Sequence, residues 1–263
     1  MPPRCLTVAT SDSGGGAGIQ ADLKAFAALG CHGSSALVAV TAQNTVAVTR
    51  VHELPRDVIV AQLEAVYGDI GVDAAKTGML FSAAIIETVA DFLRERPGPL
   101  VVDPVMVAAS GARLLQEEAV GALVRLLFPL AAVVTPNLLE ACVLAGVEYS
   151  EEADREELAE RIASRGASAV IVTGGHGSEA VDWLFDGRRH VPIPVERYGD
   201  ETTHGAGCTH SASLAALLAR GEALEDAARR AAELASEAVR AGYSLGAGAG
   251  PVDALSLAAL RAR

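Results

Sequence analysis

Short uninterrupted apolar runs alternate along this chain with longer segments of helical period, and that alternation restricts the fold more than any other feature of the sequence. The apolar runs fall at residues 6–9, 34–41, 73–77, 100–102, 131–134 and 169–172. Segments 19–29, 57–70, 83–94, 116–127, 138–144 and 152–165 carry apolar side chains at helical spacing, and 208–218 and 224–241 are two alanine-rich helical stretches. Strands that are apolar on both faces belong in a parallel sheet covered by helices on each side. Segments 182–185 and 190–195 predict a hairpin around Asp186-Gly187. With no linker-like stretch and no internal repeat, residues 1–263 are expected to form a single domain.

In such a sheet, ligands bind outside the carboxyl ends of the strands. The positions to inspect are therefore 11–18, 41–44, 76–79, 103–106, 135–140 and 173–176. Composition narrows what binds there. A net charge of −12 with no Lys/Arg run argues against nucleic acid and anionic membranes as partners. An aromatic content of 4% argues against base-stacking or carbohydrate platforms. No segment approaches the ~20 apolar residues of a membrane span. The start of the chain does not read as a secretory signal. Cys5, Cys31, Cys142 and Cys208 form no CxxC pair and read as free thiols of a reducing cytoplasm, not as a disulfide framework or zinc site.

Two glycine clusters and one polar constellation sit at the predicted strand ends. The first cluster is Gly14-Gly15-Gly16-Ala17-Gly18. It loosely fits a dinucleotide fingerprint, which would make the chain a nicotinamide-dependent oxidoreductase. The acidic residue expected at the end of the second strand is missing, however, because Thr41-Ala42-Gln43-Asn44 stands there. A phosphate P-loop would need Gly-Lys-Ser/Thr, which is absent. What remains is a tight strand-to-helix turn or the close approach of backbone to a small ligand.

The second cluster, Thr203-His204-Gly205-Ala206-Gly207-Cys208, precedes a helix, where backbone amides and the helix dipole attract anions. Cys208 in the first turn would have its thiolate favoured by the same field, with a pKa of ~7–8. The bland alternative is a glycine-rich cap with a structural cysteine. The polar constellation is Asp103 with Asn137 and Glu140, the latter two on one turn of a starting helix. Carboxylates at neighbouring strand ends hold Mg²⁺ through water. Taken with an anion hole, they describe a nucleotide–Mg²⁺ phosphoryl-transfer site.

Several motifs in this order make the chain recognisable. They are Ser11-Asp-Ser-Gly-Gly-Gly-Ala-Gly-Ile-Gln-Ala-Asp-Leu-Lys24, Thr41-Ala-Gln-Asn-Thr45, Ala75-Lys-Thr-Gly-Met79, Val102-Asp-Pro-Val-Met106, Thr135-Pro-Asn-Leu-Leu-Glu140, Gly174-Gly-His176, Thr203-His-Gly-Ala-Gly-Cys-Thr209 and Gly248-Ala-Gly-Pro-Val-Asp253. Through them the sequence resembles the hydroxymethylpyrimidine/phosphomethylpyrimidine kinases of thiamin biosynthesis, within the ribokinase-like superfamily. The resemblance implies an α/β fold, a ribokinase-like three-layer αβα sandwich with a mostly parallel central sheet. It implies ATP and Mg²⁺ as cofactors, a small-molecule substrate and a homodimer.

It also implies residue roles. Gly205, Ala206, Gly207 and Cys208 would form the anion hole, with Cys208 as base or as orienter of the substrate hydroxyl. Asp103 and Glu140 would organise the metal. Asn137, Glu140, Thr173 and Gly175 would meet the nucleotide. Gln43 would read the aminopyrimidine ring, and Asp22, Met79, Gly18, Val105 and Met106 would complete the substrate pocket.

Three positions depart from the family pattern. Thr10 replaces glycine, and its side chain is expected to protrude toward the pyrimidine. Thr173 replaces a lysine near the ATP phosphates. Ala206 replaces a threonine in the anion hole. Gly-Ala-Gly-Cys also resembles relatives that phosphorylate pyridoxal, although the Gln43-Asn44 pair favours the pyrimidine. A non-catalytic pyrimidine-binding relative is the remaining alternative.

Overall fold

The apolar runs become strands whose alternate residues enter two separate cores. In the computed structural model, which describes residues 1–96, 98–107, 115–174 and 180–260, the strands are β1 (Arg4–Asp12), β2 (His32–Gln43), β3 (Val48–Glu53), β4 (Ala74–Thr77), β5 (Leu100–Val102), β6 (Val133–Val134), β7 (Val170–Val172), β8 (Val181–Phe185) and β9 (His190–Pro194). They form one sheet in the order β3-β2-β1-β4-β5-β6-β7-β8-β9. From β2 through β7 neighbouring strands pair in parallel, and β3, β8 and β9 add antiparallel edges.

Leu6, Val8, Ala75, Val102, Val134 and Val172 point into one core. That core is covered by α2 (Arg56–Ala65), α3 (Ala83–Leu93), α4 (Glu117–Ala122), α5 (Leu138–Ala145) and α6 (Arg155–Ala163). Cys5, Val101, Val133 and Ile171 point the other way, into a core formed with α1 (Gly18–Ala28), α7 (Ala206–Ala219) and α8 (Leu224–Arg240). This is the expected three-layer αβα sandwich. Period-2 alternation within continuously apolar strands gives each helical layer its own buried face.

Several boundaries differ from the sequence reading. β1 continues through Ser11 and Asp12, so the first glycine turn starts two residues later than its motif. The helix over 57–70 stops at Ala65 and continues as a wider π turn over Val66–Ile70. β3 was not anticipated, because it is a polar, solvent-facing edge strand with little apolar patterning. A 3₁₀ segment over Ala254–Leu260 also had no sequence signal, and its Leu257 completes the second core.

Candidate active site

The carboxyl ends of β1, β4, β5 and β6 bring the two glycine turns and the polar constellation together. Asp12, the last residue of β1, organises the first turn. Its Oδ1 accepts from the Gly14 amide at 2.7 Å, and its Oδ2 accepts from the Gly16 and Ala17 amides at 3.0 and 2.9 Å. Burial works against the charged carboxylate, but the bonds from His204 and these amides outweigh it and hold Asp12 below the usual carboxylate range.

The second turn ends at Gly205, the N-cap of α7, with φ +87°. A Cβ there would stand 1.9 Å from the Gly16 carbonyl oxygen, so only glycine lets the two turns touch. Gly18, with φ +58°, is equally constrained, because a Cβ would lie 2.4 Å from the Thr10 carbonyl oxygen.

The amide of Ala206 turns back to Thr203 O at 3.1 Å and that of Thr209 donates to Gly205 O at 2.8 Å. Between them, Gly207 lies exposed in the first turn of α7, where helix geometry leaves amides unpaired and the dipole favours an anion. Ala206, beside it, is half-buried.

Cys208 corrects one expectation. Burial, with the negative charges of Asp22 and Asp103, pushes its thiol up to about 12, although the Lys76 ammonium and the Gly18 amide work the other way. The field of the helix N-terminus does not win, and the group is a neutral thiol at pH 7, not the low-pKa thiolate the helix position alone suggested.

Beneath Cys208 lies a fully buried ionic cluster. Lys76 Nζ, on β4, donates to Asp22 Oδ1 and Oδ2 at 2.9 and 3.0 Å and stands 3.7 Å from Asp103 Oδ2. Thr7 Oγ1 donates to Asp22 Oδ2 at 2.6 Å, and Ser211 Oγ, on α7, donates to Asp103 Oδ2 at 2.7 Å. Burial alone would strip the proton from Lys76, but Asp22 and Asp103 hold it and raise its pKa. Asp22 was expected to line the substrate pocket. It has 0% exposure and stands behind the site, with both oxygens engaged.

Asp103 closes β5 and faces Glu140 of α5. Asn137 and Glu140 form a capping box: Asn137 Oδ1 accepts from the Glu140 amide and Glu140 Oε2 from the Asn137 amide, each at 3.0 Å. Glu140 Oε1 also accepts from the Met106 amide at 2.9 Å. Burial and the nearby charge of Asp103 push the Glu140 carboxyl up to about 7. A carboxyl whose charge is disfavoured by a neighbouring carboxylate, as that of Glu140 is by Asp103, gains from a divalent cation beside it. Among the described residues no group of three or more metal-ligating side chains occurs. A hard ion here would therefore draw its remaining ligands from water and phosphate, as Mg²⁺ does.

At the end of β2, Ser13 Oγ donates to Gln43 O and accepts from the Gln43 amide, both at 2.8 Å. The single Thr41 hydroxyl proton is shared between Ser11 O at 3.0 Å and Gln43 Oε1 at 3.1 Å, which ties the Gln43 side chain to the end of β1. Asn44 instead closes the β2–β3 turn, its Oδ1 accepting from the Val46 and Ala47 amides at 3.0 Å. Thr10 corrects a second expectation. Its side chain does not protrude but is buried at an irregularity in the β1–β2 register, where Oγ1 donates to Met79 O at 3.0 Å. Met79 and Met106 are buried and Val105 half-buried beside these elements.

Thr173 pairs with Asn137 through an isolated bridge, its amide donating to Pro136 O at 2.9 Å. Gly174 donates to Asp182 Oδ1 at 2.6 Å and accepts from Arg197. Gly175 and His176 lie outside the described residues. The residues that sequence reasoning left without a role are Asp12, His204, Lys76 and Ser211. Asp12, His204 and Lys76 stand within the motifs quoted above, and Lys76 is also one of two lysines in the chain, whereas Ser211 carries no such signal.

Two glycine turns that meet at a helix start, at the carboxyl ends of the strands of a three-layer αβα sandwich, are the arrangement of a small-molecule kinase. A family model described as phosphomethylpyrimidine kinase matches residues 12–253, and the chain belongs to that family. It is 47% identical to the hydroxymethylpyrimidine/phosphomethylpyrimidine kinase of Haemophilus influenzae, over 94% of this chain and 95% of that protein. Its fold matches the ADP complex of Bacillus subtilis pyridoxal kinase with a TM-score of 0.90 at 39% identity, covering 98% of this chain and 99% of the other. It also matches phosphomethylpyrimidine kinase from Clostridium difficile with a TM-score of 0.77 at 39% identity, covering 87% and 96%. The chain is a phosphotransferase, which sets aside both the oxidoreductase and the non-catalytic readings. No helix among the described residues is long and apolar enough to cross a membrane.

Proposed function

We propose that this chain transfers the γ-phosphoryl group of ATP to the hydroxymethyl oxygen of 4-amino-5-hydroxymethyl-2-methylpyrimidine, and then phosphorylates the resulting monophosphate to the diphosphate used in thiamin biosynthesis. The observation that carries this reading is the contact of the two glycine turns at Gly16 and Gly205, which supports an acceptor held against the first turn and a phosphoryl group held at the start of α7. In each transfer the acceptor oxygen forms a bond to phosphorus while the bond to the β-phosphate bridging oxygen breaks; in the first the acceptor is the hydroxymethyl oxygen, whose proton is released late, and in the second it is an anionic oxygen of the monophosphate.

The neutral Cys208 thiol supports the orienting role over that of a strong base. Its sulfur accepts the hydroxyl hydrogen bond and aims the oxygen at phosphorus. The amides of Gly207 and Cys208 receive the transferred group, with Gly205 and Ala206 shaping the turn. Asp103 and Glu140 would hold Mg²⁺ through water, which would supply positive charge against the phosphates. Asn137 and Thr173 would border the nucleotide. Gln43 reads the ring, with Gly18, Met79, Val105 and Met106 around it, and Asp22 acts from behind through Lys76. The working form proposed is a cytoplasmic homodimer, on the strength of the family resemblance, and the charge of −12 supports neither nucleic acid nor anionic membrane as a partner.

Pyridoxal is the second acceptor to test, favoured by the pyridoxal kinase fold match and by Gly205-Ala206-Gly207-Cys208. Side-by-side product analysis with hydroxymethylpyrimidine, its monophosphate and pyridoxal under Mg-ATP separates the readings. Faster phosphorylation of pyridoxal than of either pyrimidine would overturn the proposed substrate.

A further inference from the structure

Asp12 and His204 join the two glycine turns of the site across 192 residues of sequence. His204 Nε2 donates to Asp12 Oδ2 at 3.1 Å, and the ring is buried at 9% exposure. The same oxygen takes the amides of Gly16 and Ala17, so a single atom connects the first glycine turn to the residue just before Gly205. The ring packs on the Gly16 backbone so closely that a Cβ at Gly16 would fall 2.2 Å from His204 Cδ2.

Both ends of the link are fixed. The Asp12 amide donates to Gln20 Oε1 at 3.0 Å, while the His204 amide donates to Gly250 O and its carbonyl accepts from Val252 N, each at 3.1 Å. Lys24 Nζ holds the far side of the same turn through Gly15 O at 2.7 Å.

We infer that the Asp12–His204 pair is a positioning latch that sets the separation between the acceptor wall and the anion hole. This rests on the phosphoryl-transfer reading above. Reacting atoms must sit ~3–3.5 Å apart, and a misplacement of ~1 Å costs about 10²-fold in rate. A hydrogen bond between the two walls governs that distance without contacting either substrate. When the latch is open, water can take the acceptor's place: the bond from phosphorus to the β-phosphate bridging oxygen still breaks, but the new bond forms to a water oxygen, giving ADP, inorganic phosphate and a proton.

The test compares His204→Ala and His204→Gln with the unmodified enzyme, measuring kcat, KM for ATP, melting temperature, and ADP released per phosphorylated acceptor. The expected result for His204→Ala is a fall in kcat of about 10²-fold with KM for ATP within threefold, and more than one ADP per product. His204→Gln, whose amide N–H has similar reach, should recover most of the coupling. One ADP per product in both variants, whatever the change in rate or melting temperature, would overturn the latch and leave a purely structural role. If the unmodified enzyme phosphorylates none of the three acceptors, the phosphoryl-transfer reading itself fails, and the latch with it.

Discussion

Asp22 separates a contact with substrate from a support built beneath it, and Asp22→Asn is the perturbation that tells them apart. The carboxylate receives three hydrogen bonds, from Thr7 Oγ1 at 2.6 Å and from Lys76 Nζ at 2.9 and 3.0 Å, and both members of the ion pair have 0% side-chain exposure. Removing one partner of a buried ion pair costs roughly 3–5 kcal/mol, because the other charge stays buried without compensation. Here Asp103 remains 3.7 Å from the ammonium, and the asparagine oxygen still accepts one bond, so the lower end, about 3 kcal/mol, applies. At about 2–4 °C per kcal/mol for a domain of this size, the melting temperature should fall by roughly 6–12 °C. Differential scanning calorimetry measures that fall, and steady-state kinetics on the same preparation should give a KM for the acceptor within twofold of the parent. Replacing both partners, as Asp22→Leu with Lys76→Met, should recover part of the stability, since a buried pair exchanged for apolar groups is often nearly neutral. An unchanged melting temperature together with a tenfold or greater rise in acceptor KM would refute the reasoning and return Asp22 to the pocket wall.

Three further outcomes are expected. Cys208→Ala should lower kcat by about 10²–10³-fold while ATP binding, measured by calorimetry, is largely preserved; a near-parent rate would remove Cys208 from the reaction. Gln43→Ala should raise the KM for the pyrimidine and shift preference toward pyridoxal; an unchanged acceptor profile would remove its ring-reading role. Glu140 has a native pKa of about 7, above its ordinary 4.5, so the folded protein binds its proton more tightly than the unfolded chain. The stability this contributes is fully present below about pH 4.5 and is lost as pH rises through 7. The melting temperature of the ligand-free protein should therefore decline over that range, and Glu140→Gln should flatten the decline; an identical slope in the variant would contradict the assignment.

The parallel strands were legible because strands covered on both faces must be continuously apolar, as Val101, Val102, Val133 and Val134 are. The edges were less so, because β3 meets solvent and its residues carry no such constraint. In the site, the Asn137–Glu140 spacing put both residues on the first turn of a helix, and the structure adds that they form its capping box; that arrangement is local in sequence. The Lys76–Asp22 pair spans 54 residues and the His204–Asp12 pair 192, and neither leaves a local pattern. Thr10 and Cys208 were misjudged for related reasons. The direction of the Thr10 side chain depends on a register irregularity, and the acidity of Cys208 depends on burial and on charges delivered by three other elements.

The central claim is that two touching glycine walls transfer a phosphoryl group from ATP to a hydroxymethylpyrimidine. It is tested most directly by ³¹P NMR of the purified protein with Mg-ATP and hydroxymethylpyrimidine. The expected spectrum shows a phosphomonoester growing in step with ADP, followed by a pyrimidine diphosphate as the monophosphate is consumed. ATP left intact, or phosphate appearing only as the inorganic ion, would contradict the account.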